Sequence, residues 1–284
     1  MSDLTARVAA FRKLHESGCF VIPNPWDVGT ARYLCHLGFK ALATTSSGFA
    51  FSRGLPDTGA VTREMALGHI AEIVGATPLP VNADFQSGHA TDPEGVAESV
   101  GLCVQTGVAG LSIEDATDGG STPLYDLSLA VERIRGARAA IDASGARVLL
   151  TARAECYLVG HPEPLKESIR RLQAYAEAGA DVLYAPGPRD SGDIEAIVAA
   201  VAPKPCNVLV SANMGLDVGD LAELGVRRIS VGSSLARAAW TGFIRAARAM
   251  AEEGSFAGFD GLVPFSELND FFRGAPEPMN MRWR

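Results

Sequence analysis

One alternation recurs from end to end of the chain: a short, nearly continuous apolar run, a polar or glycine-bearing turn, then a stretch with apolar residues at helical spacing. The apolar runs are residues 19–23, 41–45, 79–83, 110–113, 148–152, 182–185, 207–210 and 228–231. Between them, residues 62–74, 93–106, 127–143, 165–178, 193–201 and 218–224 read as helices, and 234–250 follows the last run. Runs of four or five residues without polar alternation are what strands buried on both faces of a parallel sheet look like. Gly38, Gly107, Gly179 and Gly225 stand where a left-handed residue closes a helix before the next strand. Eight such units predict a (β/α)8 TIM barrel, since a doubly wound sheet usually has fewer strands. No GxGxxG follows the first strand, which further disfavours a dinucleotide fold.

The pattern predicts a barrel over 1–251 and a C-terminal helical extension over 252–284. That extension carries Phe256, Phe259, Leu262, Val263, Phe265, Leu268, Phe271 and Phe272. So much apolar surface beyond a complete barrel wants a partner, either its own barrel or a neighbouring subunit. Pro276, Pro278 and the Arg282-Trp283-Arg284 end are expected to form a loose terminus.

Composition narrows the function. Apolar residues make up 47% and charged residues 20% of the chain, as in ordinary globular domains. The net charge of −8, with no Lys/Arg cluster, argues against nucleic acid as a partner. No N-terminal apolar run is long enough for a signal peptide or a membrane span, so a cytoplasmic protein without membrane contact is expected. Cys19, Cys35, Cys103, Cys156 and Cys206 are scattered singly, which fits reduced thiols and not structural zinc.

In a TIM barrel the site forms where strands end and βα loops begin. The sequence puts unusual chemistry there: Trp26 after the first run, Ser46-Ser47-Gly48-Phe49 after the second, and Asp57 in the loop that follows. Asp84 and Gln86 follow the third run, Glu114-Asp115 the fourth, and Arg153 and Glu155 the fifth; Tyr184 and Asn207 come from the next two. Asp57, Asp84 and Glu114 would converge on one mouth, where a divalent cation is the natural neutraliser. Oxygen-only ligands with open positions suit Mg2+, with Mn2+ as the alternative. Arg153 could grip a substrate carboxylate in a bidentate fork. Glu155, Tyr184 and Asn207 could orient substrate or relay a proton. Plainer readings stand beside these. Asp57 could cap the helix near Thr62 or stabilise a turn, and Asp84 could cap the Pro93 helix. Glu114 and Asp115 could form a local ion pair with Arg153. Gly232-Ser233-Ser234 reads equally as an anion nest or a helix cap, and His89 and His161 read as solvated loop residues. The Gly/Pro-rich stretch 52–61 is the expected lid.

Seven motifs in order carry a family resemblance: "NPWDVGTARYLCHLGF", "ATTSSGFAFSRGLPD", "PVNADFQSGHATDPE", "GLSIEDAT", "LLTARAE", "RLQAYAEAGADVLYAPG" and "GVRRISVGSSLARAA". Over about residues 11–250 the chain resembles the isocitrate lyase / phosphoenolpyruvate mutase superfamily. The resemblance implies an Mg2+-dependent barrel that makes or breaks C–C or P–C bonds next to a 2-oxo acid or its enolate. It implies metal at Asp84, with Asp57 and Glu114 acting through water. Backbone around Ser47, Gly48 and Phe49 would receive the substrate's carboxylate and oxo oxygens, and Arg153 would bind substrate. It also implies a C-terminal helix swapped between subunits in a dimer or tetramer.

Two departures shape the expectation. The stretch "EDATDGGSTPLYDL" has neither the Lys nor the proton-donating Cys of the lyases' loop, so isocitrate and methylisocitrate lyase activities are not expected. It looks more like the branch of oxaloacetate decarboxylases and phosphonomutase-like proteins. Gln86 stands where the family commonly has a second acid, leaving the metal site one negative charge short, and His89 replaces an aromatic residue. The expected function is therefore a C–C lyase or decarboxylase of a small 2-oxo or 2-hydroxy dicarboxylate, working through a metal-stabilised enolate. The alternatives are a phosphonopyruvate-type P–C bond hydrolase or mutase, and a degenerate, non-catalytic barrel.

Overall fold

A computed structural model describes residues 2–57, 59–117, 119 and 122–274. Its eight strands are β1 (Phe20–Ile22), β2 (Leu42–Ala43), β3 (Val81–Asp84), β4 (Gly110–Glu114), β5 (Leu149–Arg153), β6 (Val182–Tyr184), β7 (Cys206–Leu209) and β8 (Arg228–Ser230). All pair in parallel in the order β1-β8-β7-β6-β5-β4-β3-β2. Between β2 and β1 the Ala43 amide donates to the Pro23 carbonyl at 3.0 Å, and Asn24 Nδ2 donates to the Thr44 carbonyl at 2.8 Å. Those two bonds bring the ends of the sheet together, and the architecture is a (β/α)8 TIM barrel. Every predicted run contains a strand, though several are shorter, because only the paired part of an apolar run makes ladder bonds.

The predicted helices appear as α4 (Arg63–Gly75), α5 (Pro93–Gln105), α6 (Leu127–Ser144), α7 (Pro164–Glu177), α8 (Ser191–Val201), α9 (Val218–Glu223) and α10 (Ser234–Glu253). Three more had no apolar stripe to announce them: α1 (Ser2–Leu14), α2 (Val28–His36) and α3 (Ser46–Ser52). Local capping explains the last two. Asp27 opens α2 with a reciprocal box, its carboxylate accepting from the Thr30 amide at 2.7 Å, and Thr45 caps α3 through the Gly48 amide at 3.2 Å. Thr62 and Asp92 cap α4 and α5, so neither Asp57 nor Asp84 serves as their cap.

Register decides what fills the barrel. Glu114, Arg153, Tyr184, Asn207 and Arg228 pair side by side across β4 to β8, forming one lateral row. Neighbours in register share a face, and this row faces inward. Strand tilt carries such a row from one end of a barrel toward the other, so Glu114 ends its strand while Arg228 begins its own. Beneath the row, α1 and the turn after it close the N-terminal end of the barrel, with Val8 and Phe11 of the helix and His15 of the turn buried.

The helix after β8 does not pack like the others. Of α10's residues only Ala236 is buried, and Trp240, Phe243 and Ile244 lie exposed. The chain then runs through a 3-10 turn (Ala257–Phe259) into α11 (Phe265–Arg273), where Phe265 is 84% exposed. One end of α11 returns to α2, with the Phe271 ring 5.2 Å from Tyr33 and 5.3 Å from His36. Pro276, Pro278 and the Arg282-Trp283-Arg284 end lie outside the described residues, as does Thr58 in the expected lid. No described helix is long and apolar enough to cross a membrane.

Candidate active site

A cavity of about 280 Å³ opens at the C-terminal ends of the strands. Its centre is Arg153. Nη1 donates to Asp84 Oδ1 at 2.8 Å and lies 3.0 Å from Glu114 Oε2, while Nε donates to Glu155 Oε1 at 2.9 Å. The guanidinium carbon stands 5.1 Å from the centroid of the Tyr184 ring. Burial works against the arginine's charge, but Glu155, Glu114 and Asp84 outweigh it and hold its pKa well above the usual value.

The acids are in excess, and it shows in their protonation. Burial pushes Glu114 up to about 8 despite the Arg153 charge. It raises Glu155 as well, again against the pull of Arg153. At the rim, partial burial raises Asp57, partly offset by the Ser47 hydroxyl, whose Oγ donates to Asp57 Oδ2 at 2.5 Å. Asp84 is the best held of the group: its Oδ2 accepts from both the Ser46 amide (3.0 Å) and the Ser46 hydroxyl (2.9 Å) at the start of α3. Its own amide donates to Thr44 Oγ1 at 2.9 Å.

Among the described residues, no three His, Cys, Asp or Glu side chains stand ready to enclose a metal. Yet the donor set fits a hard divalent cation. Two carboxylates already converge on a single positive nitrogen, and every candidate ligand is an oxygen. Mg2+ is normally held by one or two carboxylates with water and substrate completing its shell. Asp84 and Glu114 are the residues able to hold it. Gln86 sits beside them with a left-handed backbone (φ 49°), uncommon for a non-glycine residue. Its carbonyl accepts the Glu114 amide at 3.0 Å, so the strained turn also sets where Glu114 begins its loop.

Ser46, Ser47, Asp57, Asp84, Gln86 and Glu114 all line this cavity, as do Arg153, Glu155, Tyr184 and Asn207. Trp26, Gly48 and Phe49 do not. Gly48 lies on the buried face of α3, where a Cβ would stand 3.2 Å from both Trp26 Cβ and Ala236 Cβ, and Phe49 stacks on His69 at 4.0 Å. Asp115 faces away from Arg153, as the residue after Glu114 in a strand must. It accepts instead from Tyr175 (2.5 Å), Arg171 (3.0 Å) and the Glu155 amide (2.8 Å), anchoring the loop that carries Glu155. The amides of Val231 and Gly232 are both taken by Asn24 Oδ1 at 2.9 Å, while Gly232 and Ser233 also line the cavity. Arg228, Asn82, Ser112 and Ser230 line the cavity without having been singled out in the sequence. The signal was available: each lies two residues from a chosen position or begins a strand whose period-two face is polar.

A profile of the phosphoenolpyruvate phosphomutase family matches residues 11–251. The chain belongs to that family. A solved Burkholderia cenocepacia J2315 protein, described as a lyase/mutase candidate, is 46% identical with a TM-score of 0.93, covering 98% of this chain and all of its own. The oxaloacetate decarboxylase of Pseudomonas entomophila is 30% identical over 77% of this chain and 75% of its own. An oxaloacetate acetylhydrolase solved with its product oxalate is 26% identical, with a TM-score of 0.82 over 94% and 93% of the two chains. This phosphoenolpyruvate phosphomutase family barrel thus sits among lyases and mutases of small carboxylates.

Proposed function

We propose that this family member is a Mg2+-dependent carbon–carbon lyase or decarboxylase acting on a small 2-oxo or 2-hydroxy dicarboxylate. The observation that carries the reading is the meeting of Asp84 and Glu114 on one cationic point, the Nη1 nitrogen of Arg153. A bound divalent cation would supply positive charge against the oxo oxygen that becomes negative as the adjacent bond breaks. The chain's own residues do the rest. Ser46, through its amide and hydroxyl, keeps Asp84 oriented toward the cavity. Arg153 binds the substrate carboxylate and is itself aimed by Glu155. With no cysteine in the loop after β4, the proton must come from elsewhere. Tyr184 is the candidate, because burial holds its hydroxyl proton up to about 12 and the residue lines the cavity.

The test is pyruvate release, by a coupled assay, from oxaloacetate, phosphonopyruvate and methylated malates, with Mg2+, with Mn2+ and with chelator. Metal-dependent turnover by the wild type, lost in Asp84→Asn, is the expected result. Turnover confined to phosphonopyruvate would replace C–C with P–C chemistry. Silence across the panel from folded protein would sink the enzymatic reading, and the neutral Gln86 is the residue that favours that outcome.

The same proposal includes a cytoplasmic homo-oligomer in which the extension over 252–284 and α10 cross to a neighbouring barrel, as a helix-swapped dimer or tetramer. The apolar residues α10 exposes support it, since covering each of these half-exposed side chains would contribute roughly 1 kcal/mol. Light scattering on purified protein tests it, and a monomer would reject it.

A further inference from the structure

A TIM barrel interior is ordinarily packed with layers of bulky branched side chains. Here the lower layer holds a guanidinium. Arg228 begins β8, is 3% exposed, and lines the floor of the cavity. Its partners are all neutral. Nε donates to Asn207 Oδ1 at 2.7 Å, Nη2 to Thr151 Oγ1 at 3.1 Å, and Nη1 faces His15 Nε2 at 3.4 Å. His15 is neutral by construction: its Nδ1 bonds the Phe11 carbonyl at 2.8 Å, which leaves Nε2 as an acceptor toward the arginine. Among the described residues, no carboxylate lies within ion-pair distance of Arg228.

A buried cation without an anion is expensive, and natural cores normally pair it or bind something to it. Burial lowers the Arg228 pKa to about 10, which still leaves it charged at neutral pH. Three contacts engage three of its five N–H groups. An arginine has no acceptor, and since Arg228 lines the cavity, an acceptor entering there can meet the remaining two. The row in register supplies the rest of the argument. At its upper end stand Glu114 and Arg153 with their surplus of acid, and at its lower end Arg228 with its surplus of positive charge. A ligand lying along that row would meet opposite demands at its two ends.

We infer that the floor of the cavity is a second anion subsite, in which Arg228 receives the distal carboxylate or phosphonate of a short two-ended substrate. This deepens the proposed function and rests on it for the reacting end alone. Asn207 is then a positioning residue: Arg228 can only donate, so it holds Asn207 Oδ1 toward itself and turns Nδ2 to Ser230 Oγ at 3.0 Å. The subsite selects for a dianion with separated charges over a compact one.

Calorimetric titration in the presence of Mg2+ separates the two ends. Oxalate can fill only the upper end, whereas succinate and 3-phosphonopropionate carry anions at both. In Arg228→Met, succinate or 3-phosphonopropionate should bind about tenfold or more weakly, as expected for lost charge-assisted hydrogen bonds, with oxalate changed less than about twofold. Arg228→Lys should recover part of the loss. Whichever of the two-ended ligands binds wild type more tightly assigns the distal group as carboxylate or phosphonate. Equal weakening of all three ligands, or of none, overturns the subsite. Should Arg228→Met fail to fold, Thr151→Asp serves instead. It gives Arg228 an internal carboxylate, and should raise Tm while selectively weakening the two-ended ligands; a raised Tm with their affinity intact overturns the proposal. If wild type ignores oxalate yet holds succinate through Arg228, the subsite stands and the proposed function falls. If oxalate binds while succinate is indifferent to Arg228, the reverse holds.

Discussion

Two arginines, Arg228 buried and Arg153 nearly so, stand in one register row of this barrel, and their surroundings are opposite. Arg153, at the mouth, is held by Asp84, Glu114 and Glu155. Arg228, at the floor, hydrogen-bonds Asn207, Thr151 and His15 and has no carboxylate within ion-pair distance among the described residues. The first is a cation in a site with too many anions, the second a cation with none among the described residues. Because a buried charge is tolerated only when something answers it, each end of the cavity is specified by what it lacks. The mouth calls for more positive charge and the floor for a negative group, so the cavity as a whole is suited to a polarised occupant.

The largest effects should come from treating the two arginines alike. Arg153→Met breaks a buried ion cluster and leaves its acids uncompensated, which should cost about 3–5 kcal/mol in denaturant unfolding and abolish turnover. Arg228→Met removes an unanswered charge and should be neutral or stabilising in the same experiment. Similar losses for both would erase the distinction between mouth and floor.

A pH profile sharpens the comparison at the lower end. Burial first, and the Arg228 charge second, lower His15 from 6.5 to about 3. The folded state then keeps His15 neutral while the unfolded chain takes up its proton near pH 6.5. Stability is whole above 6.5 and declines as pH falls toward 3, by about 1.4 kcal/mol per pH unit for this group. Burial also lowers His69 to about 4, so wild type should carry two such groups. His15→Gln should remove one of them, worth roughly 2 kcal/mol at pH 5, as read from urea midpoints at pH 7 and 5. An unchanged acid slope would mean that His15 is not held neutral beneath Arg228.

The smallest expected change tests the mouth by adding to its surplus. Gln86→Asp places a further carboxylate beside Asp84 and Glu114, and should tighten Mg2+ by about tenfold. No change in metal affinity would mean that Gln86 lies outside the metal's reach.

Much of the site was legible from strand ends alone. Asp84, Glu114 and Arg153 each end a β run, and a parallel barrel brings strand ends together whatever their order in the chain. Trp26, Gly48 and Phe49 show where that logic stops. They follow β1 and β2 at the same end of the barrel, but a residue beyond the strand is aimed by its local caps. Thr45 starts a short helix that turns Gly48 and Phe49 under the site and leaves Ser46 and Ser47 facing it. Asp115 was legible only in part: its neighbour Glu114 points inward, so alternation sends Asp115 outward, yet nothing local says that Arg171 and Tyr175 wait there.

By itself, the order of apolar runs and closing glycines determined the eight-unit barrel, because that information is local and periodic. The acidic residues at strand ends likewise determined that one end of the barrel would be rich in carboxylates. Only the tertiary structure decided the rest. Strand register set Glu114, Arg153, Tyr184, Asn207 and Arg228 in a single row, and the closing of the sheet left Arg228 inside it, away from every described carboxylate. The reason is physical: a side chain's charge is written in the sequence, but whether that charge is answered depends on neighbours that folding brings from distant parts of the chain.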